Sequence, residues 1–412
     1  MPRLLVVCIL VLLISVVPAC AGDFIISYWC GPPADTDPGV KYAEVAECNF
    51  TYAAPPCSSV TVEQNKAILG ACRNNGLKLM ISDRRIMAKA PGDPDFEKDL
   101  DAVIADYAGH PATGGYFVTD EPNSSDFPKL AAIHQYLLKK DPKRLPFINL
   151  FPNYASEEQL GNKTYEDHVA QFCKMVKPAI LSYDHYTMMA CDPKEPSNLG
   201  SHFQNMEIVR TYGLKYKIPS CYVLLSIGHG SYRNPTAADL RWQVNTALAY
   251  GYKAIQYFTY WTLYMPVNPI WNFQSAIIDA NGLRTEHFNQ VKRINSEVKV
   301  LGPTLMKLIS TGVYHTGAVP EGSKGLDPSV PVQATGEYPV VLGMFKHEDG
   351  STWAMVVNRD LRRANSVVLK LGPSITSVQE MSPKTGVMLI LKPDNGAITL
   401  KLRAGDRALL KL

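Results

Sequence analysis

The 412-residue chain lacks any excess of charge: 41 Lys and Arg stand against 38 Asp and Glu, a net of +3. No Lys/Arg run is long enough to form a basic stripe, so nucleic acid is not an expected partner. Long apolar runs are scarce too. Leu4 to Val17, broken only by Ser15, falls short of the ~18 residues that a membrane span needs, and no other stretch approaches that length. No CxxC pair and no zinc-finger spacing occurs. No HExxH or HxH accompanies His185 or His229, so neither metal nor cofactor is expected. Ser226 lacks a GxSxG elbow, which argues against an acyl hydrolase. No nucleotide-binding glycine fingerprint follows a strand. Asp93-Pro94-Asp95 and Asp99-Leu100-Asp101 lack the frame of a calcium loop.

What remains is a chain able to bury a core. Hydrophobic residues make up 46% and charged residues 19%, the composition of a folded protein rather than a disordered one. Residues 1–22 read as a secretory signal: Arg3, the apolar run, then the small-x-small site Ala19-Cys20-Ala21. A rival reading makes Cys20 the acylated residue of a lipid anchor, a match that Pro18 weakens. Beyond this segment seven cysteines remain (Cys30, Cys48, Cys57, Cys72, Cys173, Cys191 and Cys221). The number is odd, so at least one is unpaired, and sequence does not fix the pairing. Asn49, Asn123 and Asn162 each begin a glycosylation sequon.

From Phe24 to about Leu301 short apolar runs alternate with amphipathic helical patterns. Eight strand candidates begin at Phe24, Glu47, Leu77, Tyr116, Pro146, Ile180, Cys221 and Ala254. They recur every ~20–40 residues, the spacing of a βα unit. Several are apolar at nearly every position, as strands buried on both faces require. Thr164 and Thr236 stand where helix N-caps belong, and Gly251 and Gly302-Pro303 where helices stop. This pattern predicts an α/β fold, a (β/α)8 barrel over 23–302, with an open doubly wound sheet as the competing topology. Residues 303–335, rich in Gly, Pro and Ser, read as a linker with partial structure. Strand patterns from 336 to 412 predict a small antiparallel β-sandwich.

Such a barrel presents its chemistry at the C-terminal strand ends. There the sequence places Trp29 on the first strand, Asp83 and Arg84 on the third, and Asp120 and Glu121 on the fourth. Asn149 and Tyr154 follow on the fifth, and Tyr183, Asp184, His185 and Tyr186 on the sixth. His229 lies near the end of the seventh and Trp261 at the end of the eighth. Carboxylates, amides and aromatic faces together suit a carbohydrate, whose hydroxyls need hydrogen bonds and whose C–H faces stack on rings. Glycosidic cleavage needs a protonated carboxyl, and a half-buried Glu121 would have its pKa raised for that task.

Gly115-Tyr116-Phe117-Val118-Thr119-Asp120-Glu121-Pro122 resembles the strand-four motif of the large clan of (β/α)8 glycosidases, usually Asn-Glu-Pro. The resemblance implies that Glu121 is the acid/base. It also implies that Tyr183 or Tyr186 lies near the reacting sugar and that Trp261 is a sugar platform. Arg241 to Phe258 is similar to a segment of β-galactosidase-like barrels, and Leu402 to Leu410 resembles the closing strands of glycosidase accessory sandwiches. In the clan the nucleophilic Glu ends strand seven, yet Cys221 to Gly230 contains no carboxylate. Three readings follow. Asp184 serves as base or nucleophile; Asp120 assists a substrate acetamido group, as in β-N-acetylhexosaminidases; or the barrel binds sugar without cleaving it. A lyase with Tyr186 and His185 is a more distant alternative. The bland readings are that Asp120 orients Glu121 or pairs with Arg84, and that Asp184 caps a turn. Oligomeric state is not legible in the sequence.

Overall fold

The computed structural model describes residues 22–192, 196–263, 270–335 and 338–412. Residues 1–21 of the expected signal segment, Cys20 included, lie outside these. Eight parallel strands form the first sheet: β1 (Ile25–Tyr28), β2 (Tyr52–Ala53), β3 (Lys78–Ser82), β4 (Thr113–Asp120), β5 (Leu145–Leu150), β6 (Leu181–Asp184), β7 (Ser220–Leu225) and β8 (Ala254–Phe258). Their order is β1-β8-β7-β6-β5-β4-β3-β2. The remaining seam is drawn together by Thr51, whose N–H donates to the Ile26 carbonyl and whose hydroxyl accepts from the Ile26 N–H, both at 2.9 Å.

Ten helices accompany the strands: α1 (Pro38–Glu47), α2 (Val62–Asn74), α3 (Arg85–Ala88), α4 (Phe96–Tyr107), α5 (Phe127–Lys140), α6 (Glu157–Leu160), α7 (Tyr165–Met175), α8 (Leu199–Tyr216), α9 (Ala237–Ala249) and α10 (Glu286–Leu305). Their starts follow capping chemistry. Thr61 and Thr236 each close a capping box with the third residue of the helix, and Thr164 accepts from the Asp167 N–H. α10 runs through Pro303 to Leu305, past the stop expected at Gly302-Pro303. A proline in the last turn deletes only one hydrogen bond near a frayed end.

Strand alternation decides what faces the mouth. Ile25, Met80, Leu145, Phe147, Ile180, Cys221 and Ala254 form an apolar cluster inside the barrel, towards its N-terminal end. Towards the C-terminal end the interior turns polar, with Asn149, Ser182, Asp184 and Gln256 all buried. The intervening residues Tyr28, Tyr116, Tyr183, Tyr222 and Tyr257 join the core between barrel and helices.

After the barrel come β9 (Leu308–His315), β10 (Val332–Thr335), β11 (Val340–His347), β12 (Thr352–Asn358), β13 (Asn365–Leu371), β14 (Val378–Met381), β15 (Met388–Leu391), β16 (Ala397–Leu402) and β17 (Arg407–Lys411). They form a six-stranded sheet, β15-β14-β17-β12-β11-β9, and a three-stranded one, β10-β13-β16. The two enclose a core that includes Val332, Leu342, Val356, Leu369, Leu400 and Leu410. The structure within 303–335 consists of the end of α10 and two strands of the sandwich. β9 pairs with β11 over its whole length, and β10 pairs with β13; only the segment between them has irregular backbone.

The sandwich docks directly on α9. A Cβ at Gly343 would overlap the Ala249 carbonyl, and one at Gly405 would crowd the Ala238 carbonyl. Asn245 donates to the Gly405 carbonyl at 2.7 Å and accepts from Arg407 at 2.8 Å. Arg407 also reaches Glu297 at 3.2 Å.

Candidate functional site

Asn149 organises the mouth. One face of its amide donates to Asp120 at 3.1 Å and to Asp184 at 2.9 Å. Its oxygen accepts from the Ser182 hydroxyl at 2.8 Å, which fixes which way the amide points. Its backbone carbonyl receives the Glu121 N–H at 2.8 Å. One β5 residue thus ties β4 to β6 at the height where the strands end.

Glu121 follows the last residue of β4 with φ +45°, a left-handed conformation that costs a non-glycine residue about 1–3 kcal/mol. The turn swings its side chain off the strand line and over Asp184. The two carboxyls are near enough for each to shift the other's pKa. Asp184 is buried at 8% exposure, Glu121 is half-buried, and Asp120 is open to the solvent.

Three carboxyls this close cannot all ionise at neutral pH. Burial, then the Asp120 charge, raises Glu121 to about 7, although Asp184 works in the opposite direction. Asp120 rises to about 6 because protein crowds it on most sides despite its solvent contact, and the Asn149 bond offsets part of that rise. Asp184 is pushed well up by burial and by the charges of Glu121 and Asp120. The site therefore holds at least one proton near pH 7, shared by a coupled pair, as a general acid requires.

Aromatic rings stand on two sides. Trp29 meets Phe117 edge-on at 5.3 Å between ring centroids and donates to Gln256 at 2.9 Å. With Ser82, Asp83 and Arg84 they line a cavity of about 460 Å³, within the range of small-ligand sites. On the other side Tyr154, Tyr186 and Tyr232 lie close enough to the carboxyls that those charges raise their pKa values further. His229 packs against Tyr186, Tyr232, Trp271 and Phe273. Tyr154 and Trp271 are 49% and 42% exposed. The Cys30–Cys57 disulfide joins the end of β1 to the loop after β2, and both cysteines line the cavity.

Asp120, Glu121, Asn149, Tyr154, Asp184, Tyr186 and His229 come together, with Trp29 and Arg84 at the cavity. The other expected residues do not join them. Asp184 faces inward, so its neighbour Tyr183 faces outward, where its hydroxyl meets that of Tyr252 at 3.1 Å. The nitrogens of His185 meet Ser201 and His202, and its ring packs edge-on against Tyr154 at 4.9 Å between centroids, so it backs the site without facing the carboxyls. Trp261 is 8% exposed; its ring lies under Gly282 with the Lys41 ammonium 5.3 Å from its centre. Asp83 borders the cavity, but its carboxylate is engaged by Arg85 at 2.7 Å and by the Tyr107 hydroxyl at 2.9 Å. Asp120 binds Asn149 rather than Arg84. Tyr232, Trp271 and Phe273 were not legible as site residues, because their loops carry no periodic signal. Gln256 was detectable as a polar residue inside an apolar strand.

No protein-family model matches the chain, and no curated protein matches it by sequence. Its fold is shared with solved glycoside hydrolases. One structure described simply as a glycoside hydrolase aligns over 94% of this chain and 92% of its own, at 11% identity and TM-score 0.59. A family 39 glycoside hydrolase from the gut symbiont Bacteroides cellulosilyticus WH2 aligns over 96% and 82%, at 13% identity and TM-score 0.53. A family 27 β-L-arabinopyranosidase from Geobacillus stearothermophilus aligns over 94% and 95%, at 11% identity and TM-score 0.52. At these identities the likeness is one of fold: a (β/α)8 barrel followed by a β-sandwich.

Proposed function

We propose that the chain is a secreted glycoside hydrolase whose barrel, residues 23–302, carries catalysis with Glu121 as general acid/base. One observation carries this reading: Asp120, Glu121 and Asp184 gather around Asn149 at the C-terminal ends of the barrel strands, where burial pushes Glu121 up to about 7. Protonated Glu121 donates to the departing glycosidic oxygen as the C1–O bond breaks, then takes a proton back from the incoming water. Asp184 lies beneath it as a positioning residue that shares its proton.

Asp184 is buried at 8% exposure, whereas Asp120 is open to the solvent. This favours Asp120 as the second working group, in a substrate-assisted route. The acetamido oxygen of an N-acetylated sugar would attack C1 while Asp120 accepts its N–H and Glu121 protonates the leaving oxygen. Secretion is supported by the signal-like residues 1–22 and by the Cys30–Cys57 disulfide.

The test is a screen of the purified chain on a glycan panel that includes N-acetylhexosaminides, with Glu121→Gln beside it. Hydrolysis that disappears in the variant while sugar binding persists supports the reading. Full turnover by Glu121→Gln removes it, and binding without turnover by the parent leaves a carbohydrate-binding barrel.

A further inference from the structure

Away from the mouth, where α10 meets the sandwich, two depressions adjoin. They measure about 830 and 90 Å³, and both are lined by Asn289, Arg293, Glu297 and Arg403. Lys384 and Lys292 border the larger one and Arg241 the smaller. The charges do not cancel. Lys292 pairs with Glu47, Arg403 with Asp406, and Glu297, the only carboxylate of the lining, with the buried Arg407. Arg241 rests on the Ala404 carbonyl instead of a carboxylate. Among the described residues no acid pairs with Arg293 or Lys384, and both are exposed. Burial, then the neighbouring charge of Arg403, lowers the pKa of Arg241, against the opposing charges of Asp406 and Glu297. The fold therefore gathers an excess of positive charge here that its neighbouring acids compensate only in part, at an electrostatic cost that a bound anion would relieve.

We infer that this groove binds an anionic saccharide, a glycan bearing sulfate or carboxylate groups, at a site separate from the catalytic mouth. Arg293, Lys384 and Arg241 meet the acidic groups, and guanidinium forks suit sulfate and carboxylate oxygens. Asn289 and its neighbour Gln290 offer amides to hydroxyls. Among the described residues no aromatic ring lines either depression, so recognition there rests on charge and amide contacts and not on stacking of sugar faces or bases. The site needs no hydrolytic activity in the barrel, and its failure leaves the proposal for Glu121 untouched.

Affinity electrophoresis through gels containing chondroitin sulfate, dextran sulfate or neutral dextran tests this. The parent should be retarded by the two sulfated polymers and not by dextran, with retardation falling as salt rises. The double variant R293Q/K384Q should bind the sulfated polymers roughly tenfold more weakly, and R293E/K384E should not be retarded. A parent that passes all three gels alike overturns the site, as does a double variant that binds like the parent. Equal or tighter binding of an oligothymidylate overturns the assignment to a saccharide.

Discussion

Glu121 and Asp184 stand within reach of each other: the Glu121 charge helps burial push Asp184 well up, and Asp184, 8% exposed, holds part of the rise of half-buried Glu121 in check. Two carboxyls this close resist ionising together, so the pair favours a state that keeps one proton. The proton needed at the mouth is stored within the site, and Asp120 adds the charge that keeps it there.

Because the Asp120 charge helps hold Glu121 at about 7, Asp120→Asn should move the alkaline limb of the kcat/KM profile to lower pH. The expected displacement is roughly one unit, typical of a neighbouring like charge. A pH–rate profile on any hydrolysed substrate reads it. An unmoved limb would mean that Asp120 does not act on the acid.

Asp184 is raised in the folded protein, so the native state keeps a proton that the unfolded chain releases near pH 4. Its contribution to stability is complete below that pH and is lost as the pH rises through the folded value. Asp184→Asn removes this penalty. The melting temperature of the variant minus that of the parent should be near zero at pH 4 and positive, by about 2 °C or more, at pH 8. A constant difference between those pH values would contradict the linkage.

The two tryptophans of the β1 and β8 ends should separate cleanly. Trp261 is packed into the core, and Trp261→Ala should cost about 3–5 kcal/mol in urea unfolding. Trp29 is half-buried at the cavity, and Trp29→Ala should weaken sugar binding by about 1–2 kcal/mol. A larger binding loss for Trp261→Ala would place its ring at the sugar after all.

Cys30 and Cys57 close a loop with sequence separation 27. Chain entropy assigns such a crosslink about 3–4 kcal/mol. The Cys30→Ser/Cys57→Ser variant should lose about that much stability, and it should bind saccharide more weakly because the β1 and β2 loops border Trp29.

The barrel was legible because its strands are buried on both faces and spaced by helices whose caps can be read. β15 was not: Leu389 and Ile390 are exposed on an edge strand, so no alternation marks it. β9 was hidden by the Gly- and Pro-rich stretch that follows it. At the site, strand-end position picked out Glu121, Asp120, Asp184 and Asn149, but it carried no information on direction. Tyr183 and Asp184 are adjacent in one strand, so only one of them can face the interior. Trp261 follows β8 closely in sequence, yet the chain has already bent away, and its backbone N–H is bound to the Cys30 carbonyl at 3.0 Å. The Tyr232, Trp271 and Phe273 rings come from irregular loops, where tertiary packing alone determines position.

Helix α9 is buried at ten of its thirteen positions, from Asp239 through Ala249 with the exception of Arg241. It has almost no wet face, since the barrel takes one side and the sandwich the other. An excised barrel would bare a face of this helix that is now buried and strip Arg241 and Asn245 of their partners, and an excised sandwich would lose the wall against which its larger sheet rests. The two parts should therefore melt as one cooperative body, and grafting a foreign accessory module onto this barrel would require a replacement with glycines where Gly343 and Gly405 touch α9.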